Sequence, residues 1–256
     1  MGDSYAAGVG TGAYYSEGGD CLRGPLAYPV LVASRLGAQL DFTACSGARI
    51  TDLLALQLGA LTGASGYVSV SIGGNDAGFG SVITRCALPL PLICGPAIAG
   101  ARAYIRRELP GRLEAVYAAI LDRAPGARVA VVGYPRAFNG EDCDAATFFS
   151  PSEEAGLNRT ANLLARTERA TAEAYEFAFV DPRHAFSGHE ICDSDPWLNG
   201  LSTPLVESYH PNQEGYRAYK RLVLKAFTTP PDSEARGRRA LRSHWRRRSG
   251  PSRHGP

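Results

Sequence analysis

Four short stretches of the sequence carry groups suited to acyl transfer. They are Gly2-Asp3-Ser4-Tyr5, Cys45-Ser46-Gly47-Ala48, Gly73-Gly74-Asn75-Asp76 and Ser208-Tyr209-His210-Pro211. Together they offer a hydroxyl, a backbone amide in a glycine turn, a carboxamide and an imidazole. A serine nucleophile needs a base to take its proton, and the oxyanion that develops needs hydrogen-bond donors. This combination of groups is therefore typical of a serine-dependent hydrolase of carboxylic esters.

Alternating strand and helix patterns predict how these stretches are positioned. Strand patterns cover residues 38–45, 66–74, 127–135 and 177–181, and helix patterns cover 48–61, 100–124, 151–175 and 212–227. Ser152 is the expected N-cap of the third helix. The alternation predicts a parallel sheet covered by helices on both faces, a three-layer α/β/α fold. Ligands of such sheets bind at the carboxyl ends of the strands, where two of the four stretches lie.

Composition and charge narrow the possible partners. The 256 residues contain eight arginines from Arg236 onward with no acid among them, and the rest of the chain has 19 basic against 25 acidic residues. The body therefore lacks the basic surface that nucleic-acid binding requires. No apolar run is long enough for a transmembrane helix. We expect a hydrolase domain over 1–231 and a disordered tail, rich in arginine and proline, over 232–256.

The cysteines indicate an oxidising compartment. Six are present, well separated, and none forms a C-x-x-C pair, which argues against zinc-ribbon and thioredoxin-like sites. Their even number favours three disulfides over six buried thiols. The spacing alone does not choose among the possible pairings.

In this order and spacing, the four stretches resemble the SGNH hydrolases, also called GDSL esterases and lipases. The matching segments read GDSY, ACSGA, IGGNDAGF and SYHPNQEGY, and the likeness extends from residue 2 to about 226. The chain looks closest to the secreted actinomycete lipase and phospholipase branch. The resemblance implies a flavodoxin-like fold, an extracellular location, fatty-acyl or other small carboxylic esters as substrates, and neither cofactor nor metal. We further expect a monomer.

The resemblance also assigns roles to individual residues. Ser4 matches the nucleophile and one oxyanion donor, through its backbone N–H. Gly47 matches a second donor through its N–H, Asn75 a third through its side chain, and His210 the general base. The implied disulfides are sequential: Cys21–Cys45, Cys86–Cys94 and Cys143–Cys192.

The group that orients His210 has two candidates. Glu207 lies where many members of the family carry an aspartate, and the branch that this chain resembles often uses a backbone carbonyl, here that of Ser208. We favour the carbonyl and expect Glu207 to be exposed or ion-paired. Two other functions stay open: a deacetylase or acyltransferase using the same site, and a non-catalytic paralogue that binds an acyl or glycan ligand.

Two further segments lead to expectations. The apolar segment 86–95 is either a packed surface loop or a wall facing the acyl chain. In this fold a buried strand precedes the nucleophile turn, whereas only Met1 and Gly2 precede Asp3. We therefore expect this first strand to be truncated and the chain to be a shortened version of a longer product with a secretory signal.

Overall fold

Three parallel strands form the sheet of this computed structural model, which describes residues 1–90 and 93–229. The strands β1 (Tyr67–Val70), β2 (Arg128–Val132) and β3 (Ala178–Val180) lie in the order β1-β2-β3. Each falls within a predicted strand segment, so these three predictions are confirmed. The predicted tail at 232–256 lies outside the described residues.

Helices cover both faces of the sheet. Their bounds are α1 Ser4–Ala7, α2 Tyr28–Leu36, α3 Ile50–Asp52, α4 Phe79–Ala87, α5 Cys94–Arg107, α6 Leu109–Arg123, α7 Pro151–Ala174 and α8 Gln213–Thr228. A π-helical turn, Leu53–Gln57, continues α3, and short 3₁₀ helices include Leu58–Ala60, Ser16–Cys21 and Leu205–Glu207. The helix predicted over 100–124 is two helices, because Pro110 in the first turn of α6 lacks the N–H that would continue α5.

The helix predicted over 151–175 is present as α7, but its N-cap is Ser150, so the assignment to Ser152 was wrong. The Ser150 hydroxyl accepts a hydrogen bond from the Glu153 N–H at 3.3 Å, and the Glu153 carboxylate accepts one from the Ser150 N–H at 2.9 Å. This reciprocal pair is a capping box, and it requires the serine to lie three residues before the glutamate.

Alternate residues of β2 face two different apolar layers, one on each side of the sheet. Val129 and Val131 pack with β1 and α6, whereas Ala130 and Val132 pack with α2 and α8. A central strand buried on both faces is the arrangement expected for a parallel sheet between two helical layers. The three-layer prediction is therefore confirmed.

The strand predicted over residues 38–45 is not formed. On that side of β1 the neighbouring backbone is Met1–Gly2, which forms one isolated parallel bridge, between Gly2 and Ser71, the residue that follows β1. The Cys45 N–H donates to the Gly2 carbonyl at 3.0 Å. Two residues offer too short a ladder for residues 38–45 to pair along their length, so their extended pattern does not become a strand.

Candidate active site

Ser4 is the first residue of α1, two residues after Gly2, which bridges to Ser71 just beyond β1. Asp3 caps this short helix, and its carboxylate accepts a hydrogen bond from the Tyr5 N–H at 3.0 Å. Gly2 has φ +131°, and a Cβ atom there would lie 2.2 Å from the carbonyl oxygen of Ser71. The turn that presents Ser4 therefore requires glycine at this position.

The side chain of Gln57, in the π-helical turn, binds the backbone of Gly2, which precedes the nucleophile turn. Its Oε1 accepts from the Gly2 N–H at 2.6 Å, and its Nε2 donates to the Gly2 carbonyl at 2.9 Å. Gln57 is buried, so both bonds lie away from bulk water. The Gln57 amide thus pairs with both backbone groups of Gly2, whose carbonyl also accepts from the Cys45 N–H.

His210 lies within hydrogen-bonding distance of Ser4. Its Nε2 is 2.7 Å from the Ser4 Oγ, and its Nδ1 is 3.0 Å from the Ser208 carbonyl oxygen. A carbonyl only accepts, so Nδ1 carries the proton and Nε2 is left to accept from the serine hydroxyl. The Tyr5 hydroxyl donates to the Tyr209 carbonyl at 2.8 Å, which ties the histidine loop to the nucleophile turn.

Burial dominates the electrostatics of this pair. Desolvation lowers the pKa of His210 from its usual value near 6.5 to about 4, although the backbone carbonyls of Ser208 and Val206 favour its charged form. The imidazole is therefore neutral at pH 7, with its one proton on Nδ1. Asp3, beside Ser4, is buried too, and desolvation raises its pKa to about 7 against the opposing bonds from Tyr134 and Tyr5.

The remaining two stretches approach the same turn. Asn75 follows β1, and its Nδ2 donates to the Ala48 carbonyl at 3.0 Å, so the carboxamide lies beside the loop that contains Gly47. A carboxamide has two N–H donors, so Asn75 can hold this carbonyl and still donate to a second acceptor. Gly47 is exposed with φ +77°, a conformation that favours glycine.

Three disulfides are present, and they join the pairs that the family resemblance implies: Cys21–Cys45, Cys86–Cys94 and Cys143–Cys192. The first lies closest to the Gly47 loop, where the Ser46 N–H also donates to the Cys21 carbonyl at 3.0 Å. This bridge fastens the loop two residues before Gly47.

Glu207 does not contact His210 through its side chain. It is half-buried, and its Oε1 accepts a hydrogen bond from the Tyr14 hydroxyl at 2.6 Å. The expectation that Glu207 would be exposed or ion-paired was wrong, because its hydrogen-bond partner is the neutral phenol of Tyr14 and not a cationic side chain. The Asn199 side chain donates to the Glu207 carbonyl at 3.3 Å and to the Gly10 carbonyl at 2.9 Å, which fixes the loop further.

Sequence reasoning missed three supporting residues: Gln57, Tyr134 and Tyr14. The position of Tyr134 in the sequence could have indicated a role in the site, because it follows β2 at the carboxyl end of the strand, where parallel sheets place their functional groups. Its hydroxyl donates to Asp3 Oδ2 at 2.5 Å. Gln57 and Tyr14 lie far from Gly2 and Glu207 along the chain, and nothing local indicates those contacts.

Exposed apolar side chains occur in the histidine loop and in a second group that reaches it through Phe149. Leu88 and Leu90, after α4, are about half exposed, as is Phe148, whose N–H donates to the Ala87 carbonyl at 3.1 Å. Phe149 stacks edge-on against Tyr209 with 6.1 Å between ring centroids, which connects this group to the histidine loop. In that loop Leu205 is 73% exposed and Val206 43%.

Neither a metal-binding cluster nor a membrane-spanning helix occurs among residues 1–90 and 93–229. No three or more histidine, cysteine, aspartate or glutamate side chains there are grouped so that they could hold a metal ion. No helix in the same ranges is long and apolar enough to cross a membrane.

Comparison with known proteins identifies relatives over most of the chain. The GDSL-like Lipase/Acylhydrolase family model matches residues 1–218. Lipase 1 of Streptomyces coelicolor is 44% identical over 218 residues, covering 84% of this chain and 80% of the relative. The lipase of Streptomyces rimosus is also 44% identical, over 230 residues, covering 89% and 85% respectively.

Solved structures give the same result. The extracellular lipase of Streptomyces rimosus superposes with a TM-score of 0.84 at 42% identity, covering 88% of this chain and 97% of that one. Phospholipase A1 of Streptomyces albidoflavus superposes with a TM-score of 0.84 at 40% identity, covering 89% and 97%. These likenesses confirm the predicted fold and the class of carboxylic ester hydrolases. The chain belongs to the GDSL-like lipase/acylhydrolase family.

Proposed function

We propose that Ser4 is the nucleophile of this ester hydrolase, that His210 is its general base, and that the N–H groups of Ser4 and Gly47 with the Asn75 carboxamide hold the oxyanion. The observation that carries the proposal is the 2.7 Å contact between Ser4 Oγ and His210 Nε2. A serine hydroxyl is a weak nucleophile at neutral pH, and a neutral imidazole at this distance removes its proton as it attacks.

Acylation follows from this geometry. Ser4 Oγ bonds to the ester carbonyl carbon while its proton passes to His210 Nε2, and the carbonyl oxygen becomes an oxyanion. The Ser4 N–H lies in the first turn of α1, where amides lack a partner within the helix, so it is free to donate to that oxygen. The tetrahedral intermediate collapses, the proton on Nε2 moves to the departing alcohol oxygen, and the acyl group stays on Ser4.

The Ser208 carbonyl is the group that orients the base. It accepts from Nδ1 at 3.0 Å and stabilises the imidazolium that forms during each proton transfer. Glu207, held by Tyr14, shapes the loop instead. Deacylation repeats the sequence with water: His210 takes a proton from the water as it attacks the acyl carbon, and then returns that proton to Ser4 Oγ.

For the substrate we propose fatty-acyl esters of lipids. The relatives named lipase and phospholipase A1, at 40–44% identity, support this class. Exposed apolar side chains support it independently: Leu205 and Val206 lie in the histidine loop, and Phe148 precedes Phe149, which contacts Tyr209 of that loop. They offer apolar surface to an acyl chain. Three disulfides, together with the extracellular lipase among the relatives, support export from the cell.

Hydrolysis of p-nitrophenyl esters of increasing chain length tests both parts of the proposal. We expect turnover that rises toward longer acyl chains and is abolished in Ser4→Ala. Undiminished turnover in Ser4→Ala would refute the assignment of the nucleophile. Turnover confined to the acetyl ester would refute the proposed substrate class and favour a deacetylase.

A matched pair of variants tests the apolar surface. Leu205→Ser should lower hydrolysis of a long-chain ester severalfold and leave the acetyl ester unchanged. Leu121→Ser is the control, because Leu121 is also exposed but lies far from the proposed site. It is in the last turn of α6, which leads into the amino end of β2, whereas ligands bind at the carboxyl ends of the strands. Equal effects of the two variants on the long-chain ester would show that Leu205 does not contact the acyl chain.

A further inference from the structure

One hydroxyl group joins the two turns that carry Ser4 and Asn75. Tyr134 lies two residues beyond the end of β2, and its hydroxyl donates to Asp3 Oδ2 at 2.5 Å. The Tyr134 hydroxyl oxygen also accepts a hydrogen bond from the Gly74 N–H at 3.3 Å. Asp3 immediately precedes Ser4, and Gly74 immediately precedes Asn75. The hydroxyl is thus one residue away from the nucleophile on one side and from the carboxamide on the other.

The surrounding packing fixes the tyrosine ring in this place. The Tyr5 ring contacts it edge-on, with 5.1 Å between centroids. A Cβ atom at Gly74 would lie 3.2 Å from the Tyr134 ring, closer than ordinary carbon contacts. The absence of a side chain at Gly74 therefore permits the backbone of the Asn75 turn to approach the phenol.

Asp3 completes the link because its two carboxylate oxygens have different partners. Oδ1 accepts from the Tyr5 N–H and caps the nucleophile helix, while Oδ2 accepts from Tyr134. Burial and the neighbouring carboxyls of Asp3 and Glu168 raise the pKa of Tyr134 well above its ordinary value. The phenol therefore keeps its proton at neutral pH, and its O–H donates a hydrogen bond to the Asp3 carboxylate.

We propose that Tyr134 is a positioning residue that sets the distance between the Ser4 turn and the Asn75 carboxamide, and so preorganises the oxyanion site. This inference rests on the proposed function of Ser4 and Asn75. Oxyanion donors are effective only if they already point at the place where charge develops. Small displacements of such groups lower the rate of the chemical step and leave ground-state binding almost intact.

The direct test is Tyr134→Phe, which keeps the ring and removes the hydroxyl. For a soluble ester such as p-nitrophenyl butyrate, we expect kcat to fall about 10- to 30-fold and KM to stay within about twofold. Rates are taken per active site, counted by stoichiometric release of p-nitrophenol from a phosphonate inhibitor, so that misfolded protein does not contribute. An unchanged kcat per titrated site, or a rise in KM alone, would overturn the inference.

Tyr117→Phe is the matched control. Tyr117 is a fully buried tyrosine on α6 whose hydroxyl has no hydrogen-bond partner within the described part of the chain. Removing this hydroxyl should leave kcat within about twofold of the original enzyme, since no bond to the site is lost. A loss equal to that of Tyr134→Phe would mean that removing any buried tyrosine hydroxyl lowers kcat through the fold, and it would overturn the positioning role.

A double-mutant cycle separates positioning from general damage. In an Asn75→Ala background the carboxamide is already gone, so adding Tyr134→Phe should lower kcat by less than about threefold. An equal loss in both backgrounds would overturn the inference. Failure of the underlying function is distinguishable, because Ser4→Ala and Asn75→Ala would then retain full activity whatever Tyr134→Phe does.

Discussion

The pH dependence of the reaction should reflect the burial of His210. Only the neutral imidazole accepts the serine proton, and desolvation lowers the pKa of His210 to about 4. With an ordinary histidine pKa near 6.5, about 3% of the base would be neutral at pH 5. With a pKa of about 4, about 90% is neutral. We therefore expect kcat/KM at pH 5 to stay close to its plateau, where an unperturbed histidine would have lost roughly 30-fold.

The assay is kcat/KM for a soluble p-nitrophenyl ester between pH 3.5 and 8, read as released product. Asp3, which adjoins Ser4, also titrates in this range, since burial raises its pKa to about 7. Asp3→Asn cannot ionise at this position, so an inflection near pH 7 that disappears in this variant belongs to Asp3. A fall in kcat/KM below about pH 6.5 that persists in Asp3→Asn would refute the assignment of a depressed pKa to His210.

Stability must be followed beside activity in this experiment. Folding lowers the pKa of His210, so the unfolded chain binds its proton more tightly. The contribution of His210 to the free energy of unfolding therefore falls as the pH drops from about 6.5 toward about 4. The contribution of Asp3 has the opposite sign, because its raised pKa adds stability as the pH drops below about 7. Thermal unfolding at each pH shows whether a loss of rate reflects titration of the base or loss of the fold.

Three substitutions test other parts of the site. Glu207→Gln should lower kcat less than tenfold, because the amide oxygen can still accept from Tyr14; a loss near 10⁴ in steady-state kinetics would identify Glu207 as the orienting acid. Asn75→Ala should lower kcat by about 10²- to 10³-fold at nearly constant KM, as for other oxyanion donors, and a change in KM alone would contradict that role. Gln57→Leu should lower the free energy of unfolding by about 1–3 kcal/mol in denaturant titrations, because it leaves the buried Gly2 N–H unpaired. Unchanged stability would show that the two hydrogen bonds between Gln57 and Gly2 contribute nothing.

The sequence predicted the elements whose signals are local. β2 reads as a short apolar run stopped by Gly-Tyr-Pro, and α7 and α8 each follow a capping residue, so all three lie where the patterns place them. The cap of α7 was misplaced by two residues, because serines at 150 and 152 are equally good N-caps in isolation. Only the reciprocal bond with Glu153 distinguishes them.

The errors and omissions arise where a contact spans a long stretch of chain. Residues 38–45 have the composition of a strand, but a strand exists only where a partner backbone lies alongside, and the neighbour here is the short segment Met1–Gly2. Gln57 and Tyr14 contact residues 55 and 193 positions away in sequence. Periodicity and motif spacing carry no information on such pairs, so the partner of Glu207 could not be predicted.

Covalent trapping of the nucleophile tests the central claim most directly. A p-nitrophenyl phosphonate ester should bond to Ser4 Oγ with loss of one p-nitrophenolate, and the deprotonation by His210 Nε2 should make this serine the reactive one. Peptide mapping by mass spectrometry should find a single adduct on the peptide that contains Ser4, with activity lost in proportion to its formation. An adduct on another residue, or full activity with Ser4 modified, would contradict the account.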